Sequence, residues 1–401
     1  MRLMNQTYKI GKLKLTNIAG AVALSVLASG SAHATEKPII VGAAIALSGF
    51  MELSDGQPFQ GFQLKVDQIN AAGGINGRKI EIIVENTNSE KTQTRNVAES
   101  LIEKGAELLV VTCNFDFGAP AAQVAQDNGI VNFTLCAASP RYGVQGIGWT
   151  AYSPAPATYY EGHIMAEFLK KRGATKPYVL IDQFIDYGRE ICDGFQTHWV
   201  DNLGGNLAGV DKFQNNQASI ATEVANILAS GADSIAICTF APGGPVALRQ
   251  IRAAGIDLPI VAPLAMTGHF WVNAVPGISN FFTNANASVG GDDPDPKINK
   301  YVEEFTAAYG PTDLDYSTEG YTAAEAMFLA VERAGTTEGR AVAAELDKMT
   351  NEPTLLPTTY SSLVHINANR PLRILEYVNG VSQYHDTLTS SFRPNLKLGL
   401  E

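Results

Sequence analysis

Positive charge is scarce in this chain. Lysine and arginine number 29 against 40 aspartates and glutamates, for a formal charge of −11. Beyond the first residues no basic stripe appears, which argues against nucleic acid and anionic lipid as partners. Cysteine is rare: Cys113, Cys136, Cys192 and Cys238 are the four present. None stands in a CxxC pair or in Cys/His spacing, so nothing suggests a metal site. Six histidines occur, none of them in HExxH. A GxSxG nucleophile elbow and a Walker phosphate loop are also missing. With no catalytic constellation, neither an enzyme activity nor a cofactor or metal is expected. After the first residues no apolar run approaches the ~20 residues that span a bilayer.

What is present begins with an export signal. Arg2, Lys9, Lys12 and Lys14 precede a mostly apolar stretch, Ile18–Ala28, and no acid occurs before Glu36. Ala32-His33-Ala34 is a small-x-small cleavage site, so residues 1–34 read as a signal peptide cleaved near Ala34. Cleavage takes the formal charge from −11 to about −15. An exported protein can hold disulfides. Cys113 and Cys136 each follow a predicted strand, and the two strands should be neighbours. A Cys113–Cys136 bridge and buried free thiols both stay open.

The stretch Ile39–Glu85 organises the rest. Ile39–Ala46 is a short apolar run rich in β-branched residues, as a buried strand requires. The spacing of apolar residues predicts a helix over Gly56–Ala72, ended by Gly73-Gly74. Asn76-Gly77 turns the chain into a second strand, Ile80–Val84. This is a βαβ unit, with a parallel sheet and a right-handed crossover. Open α/β sheets bind ligands in loops after the strands' carboxyl ends. Leu47–Asp55 is such a loop.

The alternation continues. Helices are expected at Thr92–Lys104, Phe117–Asn128, Thr158–Lys171, Arg189–Leu203, Ile220–Ser230 and Gly243–Ala254. Strands are expected at Glu107–Val111, Ile130–Phe133, Trp149–Tyr152, Tyr178–Asp182, Ser234–Cys238 and Leu258–Val261. Pro154 and Pro156 mark a crossing into a second lobe, and Ile278–Asn284 crosses back. Three helices follow, at Lys297–Tyr309, Thr318–Ala334 and Glu338–Lys348. The end is β-rich: Leu363–Ile366, Leu372–Tyr377 and Val381–Tyr384, the last two joined by an Asn379-Gly380 turn that fits antiparallel strands. The fold class is α/β, with two doubly wound lobes. One lobe takes residues 35–153 plus 285–356, the other 154–284 plus 357–401.

Six segments, in order, resemble the type I periplasmic binding proteins of the leucine/isoleucine/valine-binding group, which feed ABC transporters. The most specific is Ile69-Asn70-Ala71-Ala72-Gly73-Gly74-Ile75-Asn76-Gly77-Arg78. The others are Leu47-Ser48-Gly49, Asn128-Gly129-Ile130 through Ala137-Ala138-Ser139, Asp186-Tyr187-Gly188, Glu319-Gly320-Tyr321-Thr322-Ala323, and Val364-His365-Ile366 onward. The resemblance covers essentially the whole mature chain. It implies two doubly wound lobes joined by three crossings, closing by a hinge around a small ligand. It further implies a periplasmic location, a membrane permease as partner, and a monomer. A ligand sensor of the same fold, acting on a receptor or regulator, is the alternative, since fold alone does not separate the two; an exported enzyme on the same scaffold is a further one, against which the missing catalytic constellation counts.

The resemblance also implies a ligand carboxylate held by first-lobe loops. Ser139 would donate its hydroxyl and Ala137 its backbone N–H, and Asn114–Gly118 precedes a helix whose free N–H groups suit an anion. Ser48 and Phe50 belong to the first ligand loop. Leu264 lies in the second-lobe loop Pro263–Thr267, which carries no acid where the family's amino-acid binders place one for the ammonium. Asp116 is the substitute on the first lobe. Candidate aromatic walls are Phe50, Phe115, Phe117, Trp149, Tyr152, Tyr187, Phe240, Phe270, Trp271 and Tyr316, with Tyr187 and Tyr316 at cleft positions of the family. His269 is expected in a cleft-facing loop as a hydrogen-bonding wall. Such a site would take a hydrophobic or aromatic carboxylate, or a hydrophobic amino acid.

Overall fold

A computed structural model describes residues 37–392. The expected signal peptide and its cleavage site lie outside the described residues. Among the described residues no helix is long and apolar enough to cross a membrane.

Two sheets carry the fold. The first has five parallel strands in the order β2-β1-β3-β4-β5. These are β1 (Ile39–Ile45), β2 (Ile80–Asn86), β3 (Leu108–Val111), β4 (Asn132–Thr134) and β5 (Ala151–Tyr152). Their central strands are apolar throughout because helices cover both faces. On one face α2 (Lys91–Glu103) and α3 (Phe115–Asp127) bury Val97, Leu101, Ala121 and Val124. On the other lie α1 (Glu52–Ala71), α9 (Tyr316–Ala334) and α10 (Gly339–Leu346), which bury Phe62, Val66, Met327 and Phe328. Helix α8 (Pro296–Tyr309) packs beside α9 through Tyr301 and Phe305.

The second sheet has seven strands in the order β12-β11-β10-β9-β8-β6-β7. Five run parallel: β6 (Pro177–Asp182), β7 (Gly209–Phe213), β8 (Ser234–Cys238), β9 (Ile260–Ala262) and β10 (Phe281–Ala285). The closing hairpin of β11 (Leu372–Val378) and β12 (Val381–Leu388) adds antiparallel, as the Asn-Gly turn predicts. Helices α4 (Thr158–Lys171) and α5 (Asp186–Thr197) cover one face, α6 (Ala221–Ser230) and α7 (Gly243–Ala253) the other.

Some elements differ from expectation. Helix α1 starts at Glu52, four residues before Gly56, and runs through Pro58. Strand β7 was not expected: it is an edge strand with alternate residues exposed, so its apolar signal is thin. The Arg189–Leu203 helix ends at Thr197 and continues as a π-helical turn, His198–Asn202. Leu363–Ile366 is not a strand. Ser361 and Val364 form an isolated bridge, and the chain is drawn toward the Pro154–Pro156 crossing, where Asn367 Nδ2 donates to the Pro154 carbonyl at 3.0 Å.

Both cysteine pairs are bridged, Cys113 to Cys136 and Cys192 to Cys238, with Cα separations of 4.5 and 5.7 Å. Glycine is required where α1 crosses α9. A Cβ on Gly320 would stand 1.7 Å from the Pro58 carbonyl oxygen. Gly320→Ala is therefore expected to destabilise the protein by about 1–3 kcal/mol, read as a lowered urea midpoint.

Candidate ligand-binding site

A cleft of about 550 Å³, part of it open to solvent, lies where the loops of the two sheets face each other. Its walls come from loops that follow β1, β3, β4, β6, β8 and β9, together with the start of α9. All six strands are parallel members of their sheets, so this is the carboxyl-edge crevice of an open α/β fold, met from both sides.

Seven of the ten expected site residues line it: Phe50, Phe115, Asp116, Ala137, Ser139, Tyr187 and Tyr316. Met51, Ser54, Cys113, Asn114, Cys136, Ile185, Asp186, Phe240 and Ala265 complete much of the wall. Ser48, Phe117 and Leu264 stand outside it. The Ser48 hydroxyl is held by Asn86 and Asn88 at 2.9 and 3.0 Å, which shapes the loop rather than facing inward. Phe117 lies edge-on behind Phe50, ring centroids 5.2 Å apart. Leu264 is buried and offers its amide to Glu161 at 3.1 Å.

Of the remaining aromatic candidates, Phe240 reaches the cavity. Tyr152 stacks on Phe133 and His365, Trp271 packs under Tyr377, Trp149 lies beneath Arg340, and Phe270 packs on the core. His269 bonds to Ser382, so it is no cavity wall.

The anion donors need correction as well. The Ala137 amide already donates to Thr134 Oγ1 at 3.1 Å. The Ser139 hydroxyl donates to Glu190 at 3.0 Å, and Arg141 bonds to both. Ser139 thus ties the two sides of the cavity together. Two further contacts do the same. The Asp186 amide donates to Asp116 Oδ2 at 3.3 Å, and Phe50 meets Phe184 edge-on at 6.2 Å. The first turn of α3 remains open as a donor: Asn114 makes no capping bond, and helical carbonyls leave the opening amides unpaired.

Charge in the wall is lopsided. Asp116 and Asp186 line the cavity with no cationic side chain in the lining itself, although Arg141 and Arg189 reach Asp186 from outside it. Asp186 is paired with Arg141 and Arg189, whereas Asp116 has no ion-pair partner among the described residues. Asn114 Oδ1 is buried and lacks a hydrogen-bond donor. One acceptor of the wall, Asn114 Oδ1, is therefore unfilled, and the Asp116 charge, which accepts only the Asp186 amide, has no cation beside it.

Sequence reasoning missed the acids behind the cavity. Asp55, fully buried, accepts the amides of Ala46 at 2.6 Å and Cys113 at 2.7 Å, fixing the loops after β1 and β3. Burial pushes its carboxyl up to about 6, although those amides pull it down. Glu161 is pushed up to about 8 by burial, and Asp315 to about 7, again by burial. Glu319 is also raised well above the ordinary carboxylate range, first by burial and then by Asp315 beside it.

These raised acids set a pH dependence. Each folded carboxyl holds its proton more tightly than the unfolded one, so its contribution is present in acid and lost as pH rises toward the folded value. His163 acts oppositely: burial lowers it to about 3, and its contribution is lost as pH falls below the ordinary histidine range. The melting temperature is therefore expected to fall between pH 6.5 and 8.5, as Asp315 and Glu161 reach their folded values. A scan of thermal unfolding against pH checks this.

Residues 38–381 match the family described as periplasmic binding protein. The chain is 21% identical over 338 residues to Leu/Ile/Val-binding protein homolog 1 of Brucella abortus, covering 82% of this chain and 87% of that one. It is also 21% identical over 344 residues to the leucine-, isoleucine-, valine-, threonine- and alanine-binding protein of Pseudomonas aeruginosa, with 86% and 91% covered. The branched-chain amino acid transporter substrate-binding protein LivJ of Streptococcus pneumoniae, solved with isoleucine, superposes with a TM-score of 0.77 at 19% identity, covering 88% and 99%. A solute-binding protein of an ABC transporter from R. palustris, solved with benzoate, gives 0.76 at 17% identity, covering 90% and 98%.

Proposed function

The chain belongs to the periplasmic binding protein family, and we propose that it is the substrate-binding component of an ABC importer. It captures a small hydrophobic molecule carrying a carboxylate, a hydrophobic amino acid or an aromatic acid, and delivers it to an inner-membrane permease. The observation that carries this is the cavity itself, walled by aromatic residues from both sheets at the carboxyl ends of their strands. Closure turns on the crossings near residues 153, 284 and 356. The Ser139–Glu190 and Asp116–Asp186 contacts hold the closed form together.

The unpaired charge of Asp116 and the unfilled Asn114 Oδ1 favour an amino acid. Asp116 and Asn114 Oδ1 suit an ammonium, while the first turn of α3 suits a carboxylate. Relatives with printed ligands fall in both classes: isoleucine for one, benzoate for another. The test compares each acid with and without its ammonium: L-leucine against 4-methylpentanoate, L-phenylalanine against 3-phenylpropanoate. Tighter binding of the amino acids supports Asp116 as the ammonium partner, and tighter binding of the bare acids assigns the aromatic-acid class. No binding of any of the four contradicts the reading.

Tyr187→Ala removes a wall residue with its hydroxyl. It is expected to weaken binding at least about tenfold, or ~1.4 kcal/mol. An unchanged dissociation constant by calorimetry would take Tyr187 out of the site.

A further inference from the structure

Glu161 sits in the first turn of α4, buried, behind the cavity rather than in its wall. Its carboxyl joins two separate pieces of that wall. The Tyr187 hydroxyl lies 3.4 Å from Oε1 and 3.2 Å from Oε2. The Leu264 amide donates to Oε2 at 3.1 Å. The next amide, of Ala265, donates to the Tyr187 oxygen at 3.2 Å. Tyr187 and Ala265 both face the cavity.

Proton counting gives this arrangement two states. A phenol has one proton to donate and two lone pairs to accept with. With Glu161 ionised, the carboxylate only accepts, and the Tyr187 proton is committed to it. With Glu161 protonated, its own O–H donates to the Tyr187 oxygen beside the Ala265 amide. The Tyr187 proton is then released from Glu161 and turns toward the cavity, where the Tyr316 hydroxyl and an acceptor on a bound molecule compete for it. We propose that Glu161 is a positioning residue whose protonation decides whether the Tyr187 hydroxyl donates to the ligand, so that binding weakens as the solution turns alkaline.

The groups around Glu161 favour the protonated state at neutral pH. Burial is the main cause, the Leu264 amide and Tyr187 hydroxyl oppose it, and Asp315 reinforces it. From α9, Asp315, Tyr316 and Glu319 all face this cluster, and each is held toward its protonated form by burial. Tyr187 comes from α5. Asn284 of β10 donates to the Glu161 backbone carbonyl at 2.9 Å. The Leu264–Met266 turn brings no charge. Arg370, ahead of β11, is the cation of the cluster. It bonds to Asn286 and the Pro154 carbonyl, and its charge bears on Glu319 and Asp315.

The inference rests on the proposed cavity ligand, yet its first test needs none. Mature protein labelled with ¹³C at tyrosine Cζ and glutamate Cδ is titrated from pH 6 to 9.5. The Tyr187 signal is assigned by its loss in Tyr187→Phe. The expected result is a Tyr187 signal that moves together with one glutamate signal, midpoint near 8, and that stays still in Glu161→Gln. A Tyr187 signal that does not move, or moves equally in Glu161→Gln, overturns the proposal. In the second arm, L-leucine and benzoate are titrated at pH 6.5 and 9. Wild type should bind about fivefold more weakly at pH 9, with less than about twofold change in Glu161→Gln and Tyr187→Phe. Equal weakening in all three proteins overturns it. If neither probe binds at either pH, the proposed function fails, and the carbon signals alone decide the role of Glu161.

Discussion

Replacing Asp55 with alanine is expected to lower the unfolding free energy by roughly 2–5 kcal/mol, because two buried amides lose their acceptor at about 1–3 kcal/mol each. Those amides belong to Ala46 and Cys113, at the ends of β1 and β3. Among the described residues nothing else accepts them. The loss reaches the cavity too, since Cys113 and Asn114 are wall residues and the Asp55 bond fixes where their loop begins. Asp55→Asn keeps one acceptor oxygen but turns an NH₂ toward the other amide, so a smaller loss is expected. Urea unfolding measures both. An unchanged midpoint in Asp55→Ala would mean that the two loops hold their shape without it.

Removing the disulfides is expected to have an effect of similar size. The bridges close 23 and 46 residues of sequence, and restricting the unfolded chain over such lengths is worth roughly 3–4 kcal/mol each. They act in different places. Cys192–Cys238 ties α5 to β8 beneath the second sheet's loops. Cys113–Cys136 ties the loop after β3 to the loop after β4, and both of its residues line the cavity. Loss of the first should therefore lower the melting temperature alone. Loss of the second should lower it and also weaken ligand binding. Serine replacements of each pair, compared by thermal unfolding and by titration, separate the two. Equal effects on binding would contradict the distinction.

How much of this was legible in the sequence depends on how local the signal was. The βαβ unit at Ile39–Glu85 announces itself through period and glycine punctuation, and β1 and β2 stand where those signals place them. The Asp186-Tyr187-Gly188 segment was also readable. Its glycine is required because a Cβ there would meet the Asp182 and Cys238 carbonyls at 2.5 and 2.9 Å, and this close approach brings Tyr187 to the cavity. Long-range partners were not readable. Ser139 and Ala137 reach the cavity region, but their donors are taken by Glu190 and Thr134, and Glu190 is 51 residues from Ser139. Glu161 looks like any polar residue of an amphipathic helix. Only packing against β10, α5 and α9 shows that it is buried. The strand expected at Leu363–Ile366 failed for the same kind of reason. Its apolar pattern was genuine, but Asn367 anchors that segment to the crossing at Pro154.

If the cavity between the two sheets receives a small hydrophobic acid or amino acid, as proposed, such a ligand should stabilise the folded protein. A thermal-shift screen of the mature protein against branched-chain and aromatic amino acids, and against aromatic carboxylates, tests it most directly. At a hundredfold excess over its dissociation constant, a ligand adds about 2.7 kcal/mol of stability. A clear rise in melting temperature is expected with at least one of these compounds, lost or much reduced in Tyr187→Ala. A melting temperature unmoved by all of them, or a rise that Tyr187→Ala leaves intact, would contradict it.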